Sequence, residues 1–203
     1  MDFLKRLKQV AGLHIEKEHT ENTESICEIS KNDTMDVIFA KTLIQNNGIF
    51  FYCDNKDELI QTIQAINHKL NPNSIYCTET ILQKLLTDSS IKYDDKNYSE
   101  CDAILSSCEY LIAHHGKIML SSKQLGPHSI KNLPKEHIII AYTSQIVKNL
   151  NEGMSGINTR YIDNLPSTIT TITSSNKENN QNTEGNVKNL SVLLIEDFKN
   201  PKF

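Results

Sequence analysis

The chain has 203 residues, 38% of them hydrophobic, and a formal net charge of −4 with both signs intermixed. That length suits one domain able to bury its own core, and the charge argues against a dedicated nucleic-acid binder, which carries a basic face. The five cysteines form no CxxC pair, so neither a zinc site nor an iron–sulfur cluster is signalled, and no apolar run nears the ~20 residues of a membrane-spanning helix.

Residues 2–11 form a short amphipathic pattern, with Phe3, Leu4, Leu7 and Val10 on one face and Lys5, Arg6 and Lys8 elsewhere. A terminal helix docked on the domain or on a partner is the plain reading; a membrane-surface helix is the alternative. The organisation expected is a helix over 1–12, a polar linker over 13–33, an α/β domain over 34–197 and a tail over 198–203. Asp33 or Thr34 caps a helix running to residue 45, which Asn46-Asn47-Gly48 ends. Strand and helix then alternate: strand 49–53, helix 56–70, strand 74–77, helix 79–86. Such alternation predicts βαβ units and a largely parallel sheet. Three apolar runs follow at 110–113, 117–120 and 138–142, then a helix over 149–156 interrupted by its glycines and a strand over 167–173. The Asn-rich stretch 174–190 reads as a flexible loop, and residues 191–196 as the last strand.

The order of pieces over 101–173 resembles the LUD domain of the LutC/YkgG family of lactate-utilisation proteins. Leu133-Pro134 stands before Ile138-Ile139-Ile140, then come Thr143-Ser144-Gln145-Ile146-Val147, Leu165-Pro166-Ser167 with Ile169-Thr170-Thr171-Ile172, and Leu193-Leu194-Ile195-Glu196-Asp197. These runs, with the short N-terminal helix, are similar to a divergent, Bacteroidetes-like subgroup. The resemblance implies an α/β fold of the NagB/RpiA/CoA-transferase type, a layered sheet flanked by helices. It also implies a cytoplasmic subunit or accessory in the oxidation of L-lactate to pyruvate, working beside iron–sulfur proteins and carrying no cluster of its own. A small-molecule module for an anionic, nucleotide-like or CoA-like ligand, and a scaffold that kept the fold and lost the site, are the other readings. The chain departs from the family at two turns. An acidic residue followed by Thr-Gly-Thr is replaced by Ala113-His114-His115-Gly116-Lys117, and a segment containing Arg-Thr-Ala-Asp is replaced by Ser174-Ser175-Asn176-Lys177-Glu178-Asn179.

Candidate ligand-binding residues are Glu109, His115, Gly116, Lys117, Ser121 and Ser122, expected at the carboxyl ends of the parallel strands. A histidine beside Lys117 suits an anion or a proton transfer; an exposed turn is the ordinary alternative. Glu109 becomes a general base if desolvated. Ser121-Ser122-Lys123-Gln124 holds a phosphate or carboxylate, or is a polar turn. His137 reads as a strand-entry side chain on a backbone carbonyl. No catalytic residue, metal site or cofactor is assigned.

Overall fold

The structure is a computed structural model and describes residues 28–174 and 186–196. The expected N-terminal helix and most of the linker and of the Asn-rich loop lie outside the described residues. Residues 28–33 are tied to the first helix, where Lys41 Nζ meets the Glu28 carbonyl at 2.7 Å and Asp33 Oδ2 at 2.8 Å.

That helix, α1 (Met35–Gln45), is followed by strand β1 (Ile49–Cys53), α2 (Lys56–Leu70), β2 (Ile75–Tyr76), α3 (Thr80–Asp88), β3 (Tyr93–Asp94) and β4 (Ala103–Ser106). The second half runs β5 (Tyr110–Ile112), β6 (Lys117–Ser121), α4 (Ser122–Leu125), β7 (Glu136–Tyr142), β8 (Ile146–Val147), α5 (Leu150–Arg160), β9 (Ile169–Ile172) and β10 (Asn189–Ile195). Helix α2 shows how local chemistry sets its ends. Asn55 accepts a hydrogen bond from Glu58 N–H, Asp57 and Glu58 lie in the first turn, and His68 and Lys69 in the last. Asn71 then leaves the helix with φ 47°.

Six strands form one sheet in the order β1-β10-β7-β4-β2-β3, every neighbour parallel. β8-β5-β6-β9 form a second sheet, in which β6 is antiparallel to both β5 and β9. Successive strand residues face opposite ways, and β7 and β10 use this fully. Ile138, Ile140 and Leu193 pack against Leu59 and Ile63 of α2 and Leu82, Leu85 and Leu86 of α3. Ile139, Ala141, Val192 and Leu194 pack on the other side, against α1 and against Leu111, Ile118 and Leu120 of the small sheet. The outer face of the small sheet, Tyr110, Ile112 and Met119, is covered by Ile157 of α5. The mixed α/β layering with a mostly parallel central sheet is the architecture expected.

Details differ from the sequence reading, each for a packing reason. α1 is buried on most of its circumference, from Val37 to Ile44, because it lies between the large sheet and the hairpin turn. α5 runs unbroken through Gly153 and Gly156. A Cβ at Gly156 would stand 2.3 Å from Tyr110 Oη, so the glycines let the helix sit directly on β5. Strand β4 is short and wholly buried, with no alternation to reveal it. β10 starts at Asn189, two residues inside the stretch read as loop, because Asn189 and Leu190 pair with Glu136 and His137. Cys53, Cys77, Cys101 and Cys108 are all buried free thiols, as expected of cysteines in apolar runs.

Candidate functional site

The β5–β6 hairpin carries five of the six residues singled out from sequence, and Ser122 follows it directly. Its open end begins at Glu109, whose backbone N–H meets the Met119 carbonyl at 2.9 Å, and finishes at Ser121. Its closed end is a single 3₁₀ turn over Ala113–His115 with Gly116 at φ 57°. Lys117 and Ser121 are four residues apart along β6, which at ~3.3 Å per residue separates the ends by about 13 Å.

At the open end Glu109 is fully buried. A buried carboxylate is costly unless hydrogen-bonded or paired, and here it is both. Oε1 accepts from Ser121 Oγ at 2.7 Å and from Gln124 Nε2 at 3.1 Å. Oε2 accepts from Arg160 Nη1 at 3.1 Å, and Tyr161 Oη lies 3.2 Å from both oxygens. Arg160 also stacks over the Tyr110 ring at 5.0 Å. Ser121 caps α4 reciprocally with Gln124. The structure thus brings Glu109 and Ser121 into contact with Gln124, the end of the run read as a polar turn or anion-holding loop, and adds Arg160 and Tyr161, which sequence reasoning did not single out. Arg160 lies 51 residues downstream of Glu109, and only the packing of α5 on the small sheet joins them.

His115, Gly116 and Lys117 stand apart from this cluster. The His115 carbonyl accepts from Asn46 Nδ2 at 3.0 Å, three residues before β1 begins. The turn therefore points to the amino ends of the parallel strands. His114, His115 and Lys117 are exposed. Gly116 faces the α1 backbone so closely that a Cβ would lie 2.9 Å from Leu43 N. The residues replacing Thr-Gly-Thr thus form a packing contact around a glycine.

The carboxyl ends of the large sheet carry a different set. Glu79, directly before α3, accepts from Ser107 N–H at 2.7 Å and from Ser107 Oγ at 2.5 Å. Burial pushes its carboxyl up, against the pull of the two Ser107 bonds. Burial also pushes the Cys77 thiol up to about 12 and raises that of Cys108 further. Neither sulfur is a thiolate near neutral pH. His137 is fully buried on β7. Its Nε2 lies 2.8 Å from Ser106 Oγ, a serine hydroxyl in place of the expected backbone carbonyl. Ser106 Oγ also donates to the Ser107 carbonyl, and the buried Nδ1 has no hydrogen-bond partner among the described residues. Burial depresses the His137 pKa to about 3, holding the ring neutral.

Beside Ser122, a cleft of about 420 Å³ opens between the 122–131 loop and β9. Ser122 Oγ accepts from Ser167 N–H at 3.1 Å on its rim. The cleft runs past Gly126 and His128 to Thr168 and Asn186. Among the described residues no group of three or more His, Cys, Asp or Glu side chains is placed to hold a metal ion, and no helix is long and apolar enough to cross a membrane.

The LUD domain family model matches residues 77–195, more than half of the chain. The chain belongs to the LUD domain family. The crystal structure of a DUF162 family protein from Deinococcus radiodurans superimposes with a TM-score of 0.61 at 16% identity, covering 84% of this chain and 100% of that one. At that identity the likeness speaks for the fold alone, and it matches the layered sheets of this LUD domain. No curated protein matches the sequence. The matched span includes the hairpin, the Glu109 cluster and Glu79, and its last strand is β10.

Proposed function

We propose that this LUD-domain protein serves L-lactate utilisation as an accessory or subunit. It would work in the cytoplasm beside iron–sulfur proteins that oxidise lactate to pyruvate, and carry no cluster itself. The observation that carries this reading is the family match over residues 77–195, since the family is associated with lactate utilisation. Buried free thiols suit a reducing compartment.

The test is reconstitution. Iron–sulfur proteins that oxidise L-lactate are assayed for that oxidation with and without the chain, and the chain is assayed alone. Oxidation that needs both supports the reading. Oxidation by the chain alone, or full activity without it, overturns it.

A second reading is a small-molecule module with no redox role. The cleft beside Ser122 favours it, because its lining offers hydroxyl, amide, imidazole and ammonium groups. A third, an interaction scaffold, is favoured by the hairpin turn, where the Gly116 backbone is pressed onto α1.

A further inference from the structure

We propose that the cleft between the 122–131 loop and β9 binds a small anion, a phosphate ester or a carboxylate. The proposal rests on the small-molecule reading and gives it a place and a ligand chemistry. A volume of about 420 Å³ falls in the range of ~300–1,000 Å³ usual for ligand pockets. Polar groups that converge on such a space fix what enters it.

The lining is one-sided in charge. Among the described residues its titratable side chains are His128 and Lys131, and no carboxylate borders the cleft. Ser122 Oγ accepts from Ser167 N–H, and Thr170 Oγ1 accepts from Asn186 Nδ2 at 3.4 Å, so neither of these bonds uses the hydroxyl hydrogen. Among the described residues, no partner takes the Thr168 hydroxyl or the Lys131 ammonium. Donors of this kind suit the oxygens of a phosphate ester or a carboxylate.

The site is also held in shape before a ligand arrives. The His128 ring lies 4.5 Å from the Tyr98 ring and 6.0 Å from the Tyr76 ring. The Ser122 N–H bonds the Thr168 carbonyl at 3.0 Å, fixing the loop to β9. Gly126 turns the loop at φ 62° with nothing within 4 Å of where a Cβ would stand, so its backbone faces open space. A ligand therefore meets a mouth already ordered, with little entropy left to lose on the protein side.

The experiment is a melting series with calorimetry on the full chain, using glucose 6-phosphate, glucose, inorganic phosphate and L-lactate. At a concentration of about 100 times Kd, mass action raises the melting temperature by several degrees. Glucose 6-phosphate binding without glucose binding identifies a phosphate ester; L-lactate binding identifies a hydroxycarboxylate. Lys131→Ala and Thr168→Val should each weaken binding about tenfold, roughly 1.4 kcal/mol, while Lys117→Ala at the far hairpin turn leaves it unchanged. Both tested side chains are exposed, so the free protein keeps its melting temperature. Binding insensitive to Lys131→Ala and Thr168→Val moves the ligand elsewhere and overturns the cleft while sparing the small-molecule reading. No response to any probe overturns both.

Discussion

The two ends of the β5–β6 hairpin are built from neighbouring residues yet follow opposite physical rules. At the open end a fully buried carboxylate, Glu109, is kept in place by Ser121, Gln124, Arg160 and Tyr161. At the closed end two histidines and a lysine stand in water, and the one residue that cannot change is the glycine between them. Polar residues close in sequence are thus no guide to a shared site. What separates these two groups is which side chains α1 and α5 cover.

The largest effect should come from the closed end. Gly116→Ala adds a Cβ 2.9 Å from the α1 backbone in a left-handed conformation that itself costs about 1–2 kcal/mol. A loss of about 3 kcal/mol is expected, a fall of roughly 6–12 °C in melting temperature for a chain of this size. His115→Ala and Lys117→Ala on either side should stay within about 0.5 kcal/mol. If Gly116→Ala melts with the wild type, the contact with α1 is not what holds the turn.

Next comes the open end. Arg160→Ala leaves Glu109 buried without its cation. Breaking a buried pair costs ~3–5 kcal/mol, but the Arg160 side chain is 43% exposed, so water moderates the loss and about 2 kcal/mol is expected. Urea unfolding measures it. A double-mutant cycle with Glu109→Gln should show coupling between the two, and additive losses would remove the ion pair from the account.

The smallest effect at neutral pH, and a growing one in acid, belongs to His137. Its folded pKa of about 3 lies below the ordinary 6.5. The unfolded chain therefore binds the proton first, and stability falls as pH drops from 6.5 towards 3 while staying level above 6.5. His137→Leu should flatten that part of the acid-unfolding curve and shift its midpoint to lower pH. An unchanged acid midpoint would assign the acid sensitivity to other groups.

Much of the architecture was legible before any coordinates. β1, α2, β7 and β10 show up as apolar runs or 3.6-residue periodicity because each buries a continuous face. Of the second sheet, β5, β6 and β9 fall on the runs read as strands at 110–113, 117–120 and 167–173, whereas β8 has two residues, too short for a period to emerge. Of the candidate residues, Glu109 and Ser121 were legible as polar positions beside strands, whereas Arg160 and Tyr161 carried no local signal. They matter only because Gly153 and Gly156 let α5 sit on Met119 and Tyr110.

By itself, then, the sequence determined the α/β class, the parallel core and the LUD family, because these depend on periodicity, element order and turn residues within short stretches of chain. Only the tertiary structure decided that Glu109 is an internal ion-pair partner, that His115 and Lys117 face the opposite end of the sheet, and that Ser122 borders a donor-lined cleft. Those outcomes depend on which surfaces α1, α5 and the 122–131 loop cover. Coverage arises between segments tens of residues apart, where no local pattern records it.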